Sequence, residues 1–413
     1  MLKSRLIDEL RKRPDELFEL CSRLVQVPSE NPPGDTSKLA SFIRDYLTDQ
    51  GIAVEWHEPM AGRPNLVATM GSGSGPNVVL SGHLDEFPAG QGWTRPPFSG
   101  AIEDGRIWGR GAGDMKAGLA VALTIASLAR ELDIHLAGRL TLAFASDEET
   151  GGAWGTQWLL ANVPAVRGDA CLIGESSGTW SAGIGEKGVL WLRLRSRGVS
   201  GHAAYQQGTS AVAAIRGALA AIEPMHGRRA RAEKAVAQVI AGQRGAAERR
   251  WGRGTGRLAD TVALSVGTLE GGGQVNLIPA SAMAEVDFRV PPGLTTAAVA
   301  SEARRRIKQA SRGSVEVEVF NQCEPYVTPP EATLVQHVLT NARQLNRRKV
   351  LPVVRLGYTD GRFFRRAGIP TVVYGPAVHN MGGPDEYIET ADLLEVAVVH
   401  AGAVLDILAP GAA

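Results

Sequence analysis

Cysteine is scarce in this 413-residue chain, and the three present, Cys21, Cys171 and Cys323, lie far apart in the sequence. An odd number of distant cysteines does not suggest a disulfide framework or a cysteine-ligated zinc site. The N-terminal segment carries charges throughout and lacks the apolar core of a signal peptide. These absences predict a protein of a reducing compartment, the cytoplasm.

The chain also lacks net charge, since 44 basic residues against 43 acidic residues leave a formal charge of +1. Without a global field, we expect no attraction to nucleic acid or to an anionic membrane. No run approaches the roughly 20 apolar residues that span a bilayer. The composition, 44% hydrophobic and 21% charged, is that of an ordinary globular protein.

One local exception to the even charge is residues 216–257, where ten Arg or Lys accompany three Glu. A basic nucleic-acid patch is one interpretation. A solvated helix and loop face is favoured, because aromatic residues are almost absent from the stretch.

A glycine-rich stretch, WGRGAGDMKAG at 108–118, is the most unusual local feature. It does not match G-x-G-x-x-G, because Asp114 stands where the third glycine belongs, and Lys116 does not fit a phosphate-binding P-loop. Taken alone, Asp114 is as expected of a solvated surface turn. The glycines also predict that something approaches the backbone closely.

Short continuous apolar runs at 77–81, 139–145, 169–173 and 370–374 alternate with helix candidates such as 119–132. This order predicts an α/β fold with a mostly parallel sheet. In such sheets ligands bind beyond the carboxyl ends of the strands. Each of the four runs is followed within a few residues by a His or a Glu.

The middle of the chain has a different pattern. Apolar and polar residues alternate at 189–197, 282–290 and 314–320, which predicts antiparallel strands with one wet face. Helix candidates at 209–223 and 295–311 accompany them. We therefore predict an α+β domain at 188–322, inserted between the two parts of the catalytic domain at 1–187 and 323–413. At the N-terminus, leucines from Leu6 to Leu24 predict an amphipathic helix that ends at Pro28.

Five candidate ligands would share one edge of the predicted sheet. Each has a plain structural alternative, such as a packed histidine, a solvated acidic turn or a helix cap. Together they are three carboxylates and two imidazoles without a thiolate, which suits Zn²⁺, Mn²⁺ or Co²⁺. Without a cation the carboxylates would repel one another. The five residues are His83, Asp114, Glu149, Glu175 and His379.

At this point the chain resembles a known family, the M20 metallopeptidases. This is the group of aminoacylase, acetylornithine deacetylase, succinyl-diaminopimelate desuccinylase and glutamate carboxypeptidase. The resemblance covers nearly the whole chain. It is carried by VPSENPPGD (27–35), SGHLDEFP (81–88), the stretch at 92–118, SDEETGG (146–152), GVSGHAA (198–204), the stretch at 271–293 and GYTDGRFF (357–364).

The resemblance implies a zinc-peptidase type of catalytic domain that binds two divalent metal ions. His83 and Glu175 are expected at one metal and Glu149 and His379 at the other, with Asp114 bridging the two. Asp385, at the start of the closing Asp-Glu-Tyr motif, follows His379 by six residues, where family members commonly have three.

Two further residues and one peptide bond of this centre follow from the resemblance. Glu148 is expected to be the general base and then the proton donor. Asp85 is expected to orient the ring of His83. The family also has a cis peptide after the bridging residue, here Asp114–Met115.

For the inserted domain the resemblance implies a ferredoxin-like lid that also forms a homodimer. His202 resembles the histidine that reaches the partner's site, while Asn276 and Arg289 resemble residues that contact substrate. Thr359 resembles a substrate neighbour in the catalytic domain. The alternatives are a loop-packing role for His202 and, for Arg289, a salt bridge to an acid of its own strand.

The predicted function is hydrolysis of an amide-type C–N bond in a small carboxylate-bearing substrate, such as an N-acyl amino acid. A dipeptidase or carboxypeptidase is the alternative, as is an amidohydrolase that deaminates an unusual aromatic amine. A pseudo-enzyme that uses the fold for binding is disfavoured, because Glu148 and all five candidate ligands are present.

Overall fold

The computed structural model describes residues 2–71, 73–205 and 207–409. The chain divides into a first unit (Met1–Ile184, Thr328–Val353 and Thr359–Ala413) and a second unit (Gly185–Val327 and Val354–Tyr358). The strands are β1 (Val54–Met60), β2 (Arg63–Met70), β3 (Asn77–His83), β4 (Ile102–Glu103), β5 (Arg106–Trp108), β6 (Arg139–Ala145), β7 (Ala170–Ile173), β8 (Ser181–Glu186), β9 (Gly188–Arg197), β10 (Ala263–Gly271), β11 (Ser281–Val290), β12 (Val315–Cys323), β13 (Leu351–Arg355), β14 (Thr371–Val373), β15 (Val378–His379) and β16 (Tyr387–Glu389).

The α-helices, named in the same way, surround these strands. They are α1 (Leu2–Lys12), α2 (Pro14–Val25), α3 (Ser37–Asp49), α4 (Ala117–Glu131), α5 (Thr156–Asn162), α6 (Ala211–Ile222), α7 (Lys234–Trp251), α8 (Thr296–Ser311), α9 (Thr333–Asn346), α10 (Gly361–Arg366) and α11 (Thr390–Leu408).

A large mixed sheet forms the centre of the first unit. Its strand order is β1-β2-β6-β3-β7-β14-β8-β13. Strand β3 pairs in parallel with β6 and β7, and β7 pairs in parallel with β14. All seven residues of β3 are buried, as expected of a strand covered on both faces. The four apolar runs of the sequence are these four strands, so the predicted α/β fold is confirmed.

Helix α4 is a core helix that packs against strands β3 and β6 of this sheet. With the turn before it, the stretch Ala112–Glu131 is long and apolar enough to cross a membrane, contrary to our expectation that no run came near that length. In the protein the stretch is buried from Ala112 to Ala129. Its many alanines allow close packing, and every residue from Ala117 to Ala129 is buried.

The predicted N-terminal helix is in fact two helices. The first ends at Lys12 and the second starts at Pro14. Proline has no N–H to donate and its ring clashes with the preceding turn, but it fits well at the first position of a helix. The helical spacing of the leucines therefore continues from α1 into α2, and it gives no sign of the break between the two helices.

The second unit is an antiparallel sheet covered by helices. The strand order is β10-β11-β9-β12, and the three predicted alternating strands are β9, β11 and β12. Inward-facing residues of the sheet, such as Leu192 and Phe288, share one core with Ile215 of α6 and Ile307 of α8. The predicted α+β composition of this region is confirmed.

Two elements of the second unit have weak sequence signals. Strand β10 lies at the sheet edge and is exposed over most of its length, so it lacks an alternating pattern. Helix α7 lies in the Arg-rich stretch and buries Val239, Ile240 and Ala247. Two arginines of the stretch, Arg229 and Arg244, form ion pairs with Asp260.

A small antiparallel sheet of the first unit places the end of the chain next to the glycine-rich stretch. Its strand order is β15-β16-β5-β4. Across it, His379 is opposite Tyr387, and Tyr387 is opposite Trp108. The hairpin β15–β16 thereby positions His379 by strand register.

Candidate metal centre

The parallel strands bring polar side chains to one edge of the large sheet. His83 is the last residue of β3 and lies opposite Ala145, the last residue of β6. The chain then forms a short turn, Glu148–Thr150. Glu148 and Glu149 therefore follow β6 at the same edge where β3 ends in His83.

Asp114 reaches the same place from the glycine-rich stretch. Its turn, Ala112–Lys116, is buried and contains the cis peptide Asp114–Met115 expected from the family resemblance. A Cβ atom on Gly111 would come within 2.2 Å of the Glu86 carboxylate, and one on Gly113 within 2.3 Å of Val378. The glycines therefore allow the turn to pack tightly against its neighbours.

Three of the five candidate ligands form a close cluster. One ligand atom each of His83, Asp114 and Glu149 lie within 4.8 Å of one another. His83 Nε2 is 3.1 Å from Asp114 Oδ1. Two carboxylates and an imidazole at this spacing are suitable ligands for a divalent transition metal.

The electrostatics of the cluster favour a cation. Burial, together with the nearby Asp114 carboxylate, raises the pKa of Glu149 to about 10. Burial alone would lower the pKa of His83, but hydrogen bonds to Asp114 and Asp85 raise it well above its usual value. Without a metal ion, the raised pKa values mean that Glu149 and His83 keep their protons. A bound metal ion would replace these protons and compensate the negative charge of the carboxylates.

A buried oxygen supports the same conclusion. Glu149 Oε1 is buried and makes no hydrogen bond within the described part of the chain. Burying a carboxylate oxygen without a partner is unfavourable, and a metal ion would be such a partner. The residues present therefore fit a bound metal.

Asp85 has a wider role than the sequence suggested. His83 Nδ1 lies 2.8 Å from the backbone oxygen of Asp85 and 3.5 Å from its Oδ1. The Asp85 carboxylate accepts hydrogen bonds from the backbone N–H groups of Glu148 and Glu149, each at 3.1 Å. It therefore holds the turn that carries these two residues.

Glu148, the predicted base, is buried beside a cation. Its Oε1 is 3.4 Å from the Arg362 guanidinium, which also donates to the backbone oxygen of Gly151 at 3.1 Å. Burial raises the pKa of Glu148 to about 8, while Arg362 opposes the shift. Arg362 lies in the GYTDGRFF motif, but its sequence position gave no sign of this contact.

Glu175 and His379 lie outside the 4.8 Å cluster, and their roles as ligands stay predictions. Glu175 follows β7 at the same sheet edge and is 6% exposed. The His379 ring stacks on Tyr387, with centroids 4.4 Å apart and planes within 3°. Such stacking fixes the plane of the imidazole.

The predicted substrate residues of the second unit lie on its strands and loops. His202 is exposed and accepts a hydrogen bond from Ala204 N at its Nδ1. Asn276 is exposed, and its backbone oxygen accepts from Ala203 N. Arg289 forms the salt bridge to Asp287 that we considered as an alternative, at 2.9 Å, and lies over the Tyr358 ring.

Thr359 belongs to the first unit and is fully buried, where its Oγ1 accepts from Gly361 N at 3.0 Å. It therefore caps the turn that leads to Arg362. The roles of all four predicted substrate residues stay predictions.

Sequence reasoning missed two buried ion pairs that hold the glycine-rich stretch. Arg110 pairs with Glu386, whose other oxygen accepts from Gly113 N at 3.1 Å. Lys116 pairs with Glu86 at 2.7 Å. The charged residues within WGRGAGDMKAG were the available signal, but their partners are distant in sequence.

Comparisons with known proteins identify the family and the fold. The model of peptidase family M20/M25/M40 matches residues 79–406. A succinyl-diaminopimelate desuccinylase of Methylobacterium radiotolerans is 31% identical over 419 residues, which cover 96% of this chain and 98% of that protein.

Solved structures share the fold. An M20 family metallo-carboxypeptidase of Sulfolobus solfataricus has a TM-score of 0.81 at 19% identity, over 95% of this chain and 99% of that one. A dinuclear metal binding peptidase of the M20 family from Bacillus subtilis has a TM-score of 0.65 at 17% identity, over 96% and 98% of the two chains.

The fold, the acidic cluster at the sheet edge and these relatives define a metal-dependent hydrolase that acts on amide C–N bonds. The chain belongs to peptidase family M20/M25/M40.

Proposed function

We propose that this hydrolase uses two metal ions to remove the acyl group from an N-acyl amino acid or a similar small substrate with a carboxylate. The observation that carries the proposal is the close cluster of His83, Asp114 and Glu149, with Glu148 next to it in the chain. The 31% identical desuccinylase supports an N-succinyl group as the first acyl group to test.

His83 and Glu175 would hold one metal ion, Glu149 and His379 the other, and Asp114 both. Imidazole and carboxylate ligands suit Zn²⁺, Mn²⁺ or Co²⁺. When bound, such a pair lowers the pKa of a water molecule toward 7 and polarises the substrate carbonyl.

Glu148 is the proposed general base. Its carboxylate takes a proton from the attacking water and gives it to the nitrogen of the leaving amine as the C–N bond breaks. The Arg362 guanidinium, 3.4 Å away, favours the ionised form that must accept this proton. Asp85, through the backbone N–H groups of residues 148 and 149, keeps the base next to the cluster.

The remaining predicted residues would bind substrate. Arg289 can pair with a substrate carboxylate in two parallel hydrogen bonds. To do so it must give up its salt bridge to Asp287. Asn276 and Thr359 are proposed as further substrate contacts, and His202 as a donor to the developing oxyanion of the partner subunit's substrate.

A homodimer through residues 188–322 is part of the proposal. Its support is the exposure of several large apolar side chains in that region. They are Tyr205, Val212, Leu269, Val275 and Leu277. The three free cysteines support a cytoplasmic location.

A substrate panel tests the function. N-succinyl and N-acetyl amino acids, dipeptides and aryl amines are offered to the protein loaded in turn with Zn²⁺, Mn²⁺ or Co²⁺. The proposal expects the highest kcat/KM on an N-acyl amino acid. A preference for dipeptides would instead establish a peptidase, and release of ammonia from an aryl amine would establish the deaminating amidohydrolase. A purified protein with neither bound metal nor activity after metal addition would refute a hydrolase.

A further inference from the structure

The VPSENPPGD motif near the N-terminus forms a turn that docks on the end of β3. Asn31 N donates to the Glu86 backbone oxygen at 2.8 Å, and Glu86 N donates to the Ser29 oxygen at 3.1 Å. The turn therefore pairs with the chain at Glu86, three residues beyond the end of the strand that carries His83. None of its side chains belongs to the metal cluster or to the proposed base.

Asn31 is the residue of this turn that reaches the centre. It is 2% exposed. Its Nδ2 donates to Asp85 Oδ2 at 2.8 Å and to Thr150 Oγ1 at 3.0 Å. Because a carboxylate only accepts hydrogen bonds, the amide nitrogen and not its oxygen must face Asp85.

The Asn31 side-chain amide is hydrogen-bonded at both ends of the turn Glu148–Thr150, which carries the proposed base and a proposed metal ligand. At one end Asp85 accepts the backbone N–H groups of Glu148 and Glu149. At the other end, Thr150 follows Glu149 directly. The hydrogen bond from Asn31 to the Asp85 carboxylate, at 2.8 Å, is shorter than those from the backbone N–H groups of Glu148 and Glu149, at 3.1 Å.

We propose that Asn31 is a positioning residue, which orients the Asp85 carboxylate and Thr150 and thereby fixes the Glu148–Glu149 backbone at the metal cluster. The inference rests on the proposed function for what Glu148 and Glu149 do. It assigns the N-terminal motif to the active site, although the motif contributes neither a ligand nor a base.

The chain offers a closely matched control in Asn341. This residue is also fully buried, and its Nδ2 donates to Asp406 Oδ2 at 2.7 Å and to the His337 oxygen at 2.8 Å. In both asparagines the side-chain oxygen is buried without a hydrogen bond in the described structure. Asn341 lies on α9, so its loss should affect stability without affecting the centre.

The test compares Asn31→Ala and the nearly isosteric Asn31→Asp with Asn341→Ala and Asn341→Asp in the full-length protein. The first measurement is amide hydrogen exchange of Glu148 and Glu149 with a chelator present. We expect exchange at least roughly tenfold faster in both Asn31 variants and unchanged in both controls, because the carboxylate that holds these N–H groups loses its orientation.

Two further measurements use the metal-loaded protein. Removing a partner of a metal-binding residue typically weakens metal affinity or activity roughly 10- to 100-fold. We expect Zn²⁺ affinity to fall by that factor in the Asn31 variants, and kcat to fall with little change in KM. Thr150→Val, at an exposed position, removes the second contact of Asn31, together with the hydrogen bonds of Thr150 Oγ1 to Arg63 and to the Asp147 backbone oxygen. Because the Asn31–Asp85 hydrogen bond is kept, it should give a smaller change in the same direction.

The inference is overturned if the Asn31 variants match the Asn341 controls in hydrogen exchange, Zn²⁺ affinity and kcat. If the Asn31 variants fail to fold, a Thr150→Val variant with unchanged exchange, Zn²⁺ affinity and kcat would overturn it. The exchange measurement needs neither metal nor substrate. If the wild-type protein binds no metal, the proposed function is refuted. The hydrogen-exchange rates of Glu148 and Glu149 would still decide whether Asn31 is a positioning residue.

Discussion

Replacing Glu148 by Gln should abolish turnover and, at the same time, stabilise the metal-free protein. The side chain is 7% exposed, and burial raises its pKa from 4.5 to about 8. In the unfolded chain the group ionises at its ordinary pKa, so from pH 4.5 to 8 the unfolded state releases a proton that the folded state keeps. Stability of the wild type therefore falls as pH rises through this window.

The size of the effect follows from the shift. One pKa unit corresponds to about 1.36 kcal/mol, so the wild type should lose on the order of 5 kcal/mol above pH 8 and roughly 3 kcal/mol at pH 7. Gln has the same shape, does not ionise, and can still accept a hydrogen bond from Arg362. The difference between Glu148→Gln and wild type should thus be near zero at pH 4.5 and grow toward pH 8.

The assay is denaturant unfolding with a chelator at pH 5, 6, 7 and 8, with the exposed Glu331→Gln as control. Turnover and Zn²⁺ binding are measured in parallel on the loaded protein. We expect kcat to fall at least 10²-fold with Zn²⁺ still bound. A variant less stable than wild type at pH 8 would refute the burial argument, and loss of metal would mean that the roles of Glu148 and Glu149 are exchanged.

Three other outcomes are expected. Glu149→Gln should weaken Zn²⁺ binding roughly 10- to 100-fold in calorimetry; unchanged affinity would remove Glu149 from the ligands. Burial lowers the pKa of His400 to about 4, so wild-type stability should fall as pH drops from 6.5 toward 4, and His400→Gln should flatten this fall in chelator-containing unfolding experiments; parallel curves would contradict it. Leu269→Arg, on the exposed face of β10, should yield monomers in sedimentation; an intact dimer would place the interface elsewhere.

The elements that carry the centre were predictable because they are buried. Continuous apolar runs identify β3 and β6, and their parallel pairing requires that His83 and Glu149 meet at one edge. The separation of Asp114 from these strands in sequence did not matter, because the family resemblance placed it among the predicted ligands and the structure has it in the cluster. Local pattern and motif therefore predicted the cluster.

What the sequence did not reveal depends on contacts between distant residues or on exposed strands. The partner of Arg110 is 276 residues away, and no spacing rule connects them. Strand β10 is exposed from Ser265 to Gly271, so its sequence lacks the alternation of buried and exposed residues that reveals a strand. The break before Pro14 shows the converse, since a regular leucine pattern can continue through two helices.

The hairpin β15–β16 separates the position of His379 from the length of the loop that follows it. The imidazole is placed by its pairing with Tyr387 across the two strands, while residues 380–386 close the hairpin and supply Glu386 to the ion pair with Arg110. A longer or shorter loop that kept this strand pair would therefore leave the imidazole where it is. The position of His379 thus follows from its strand partner Tyr387 and not from its spacing to Asp385.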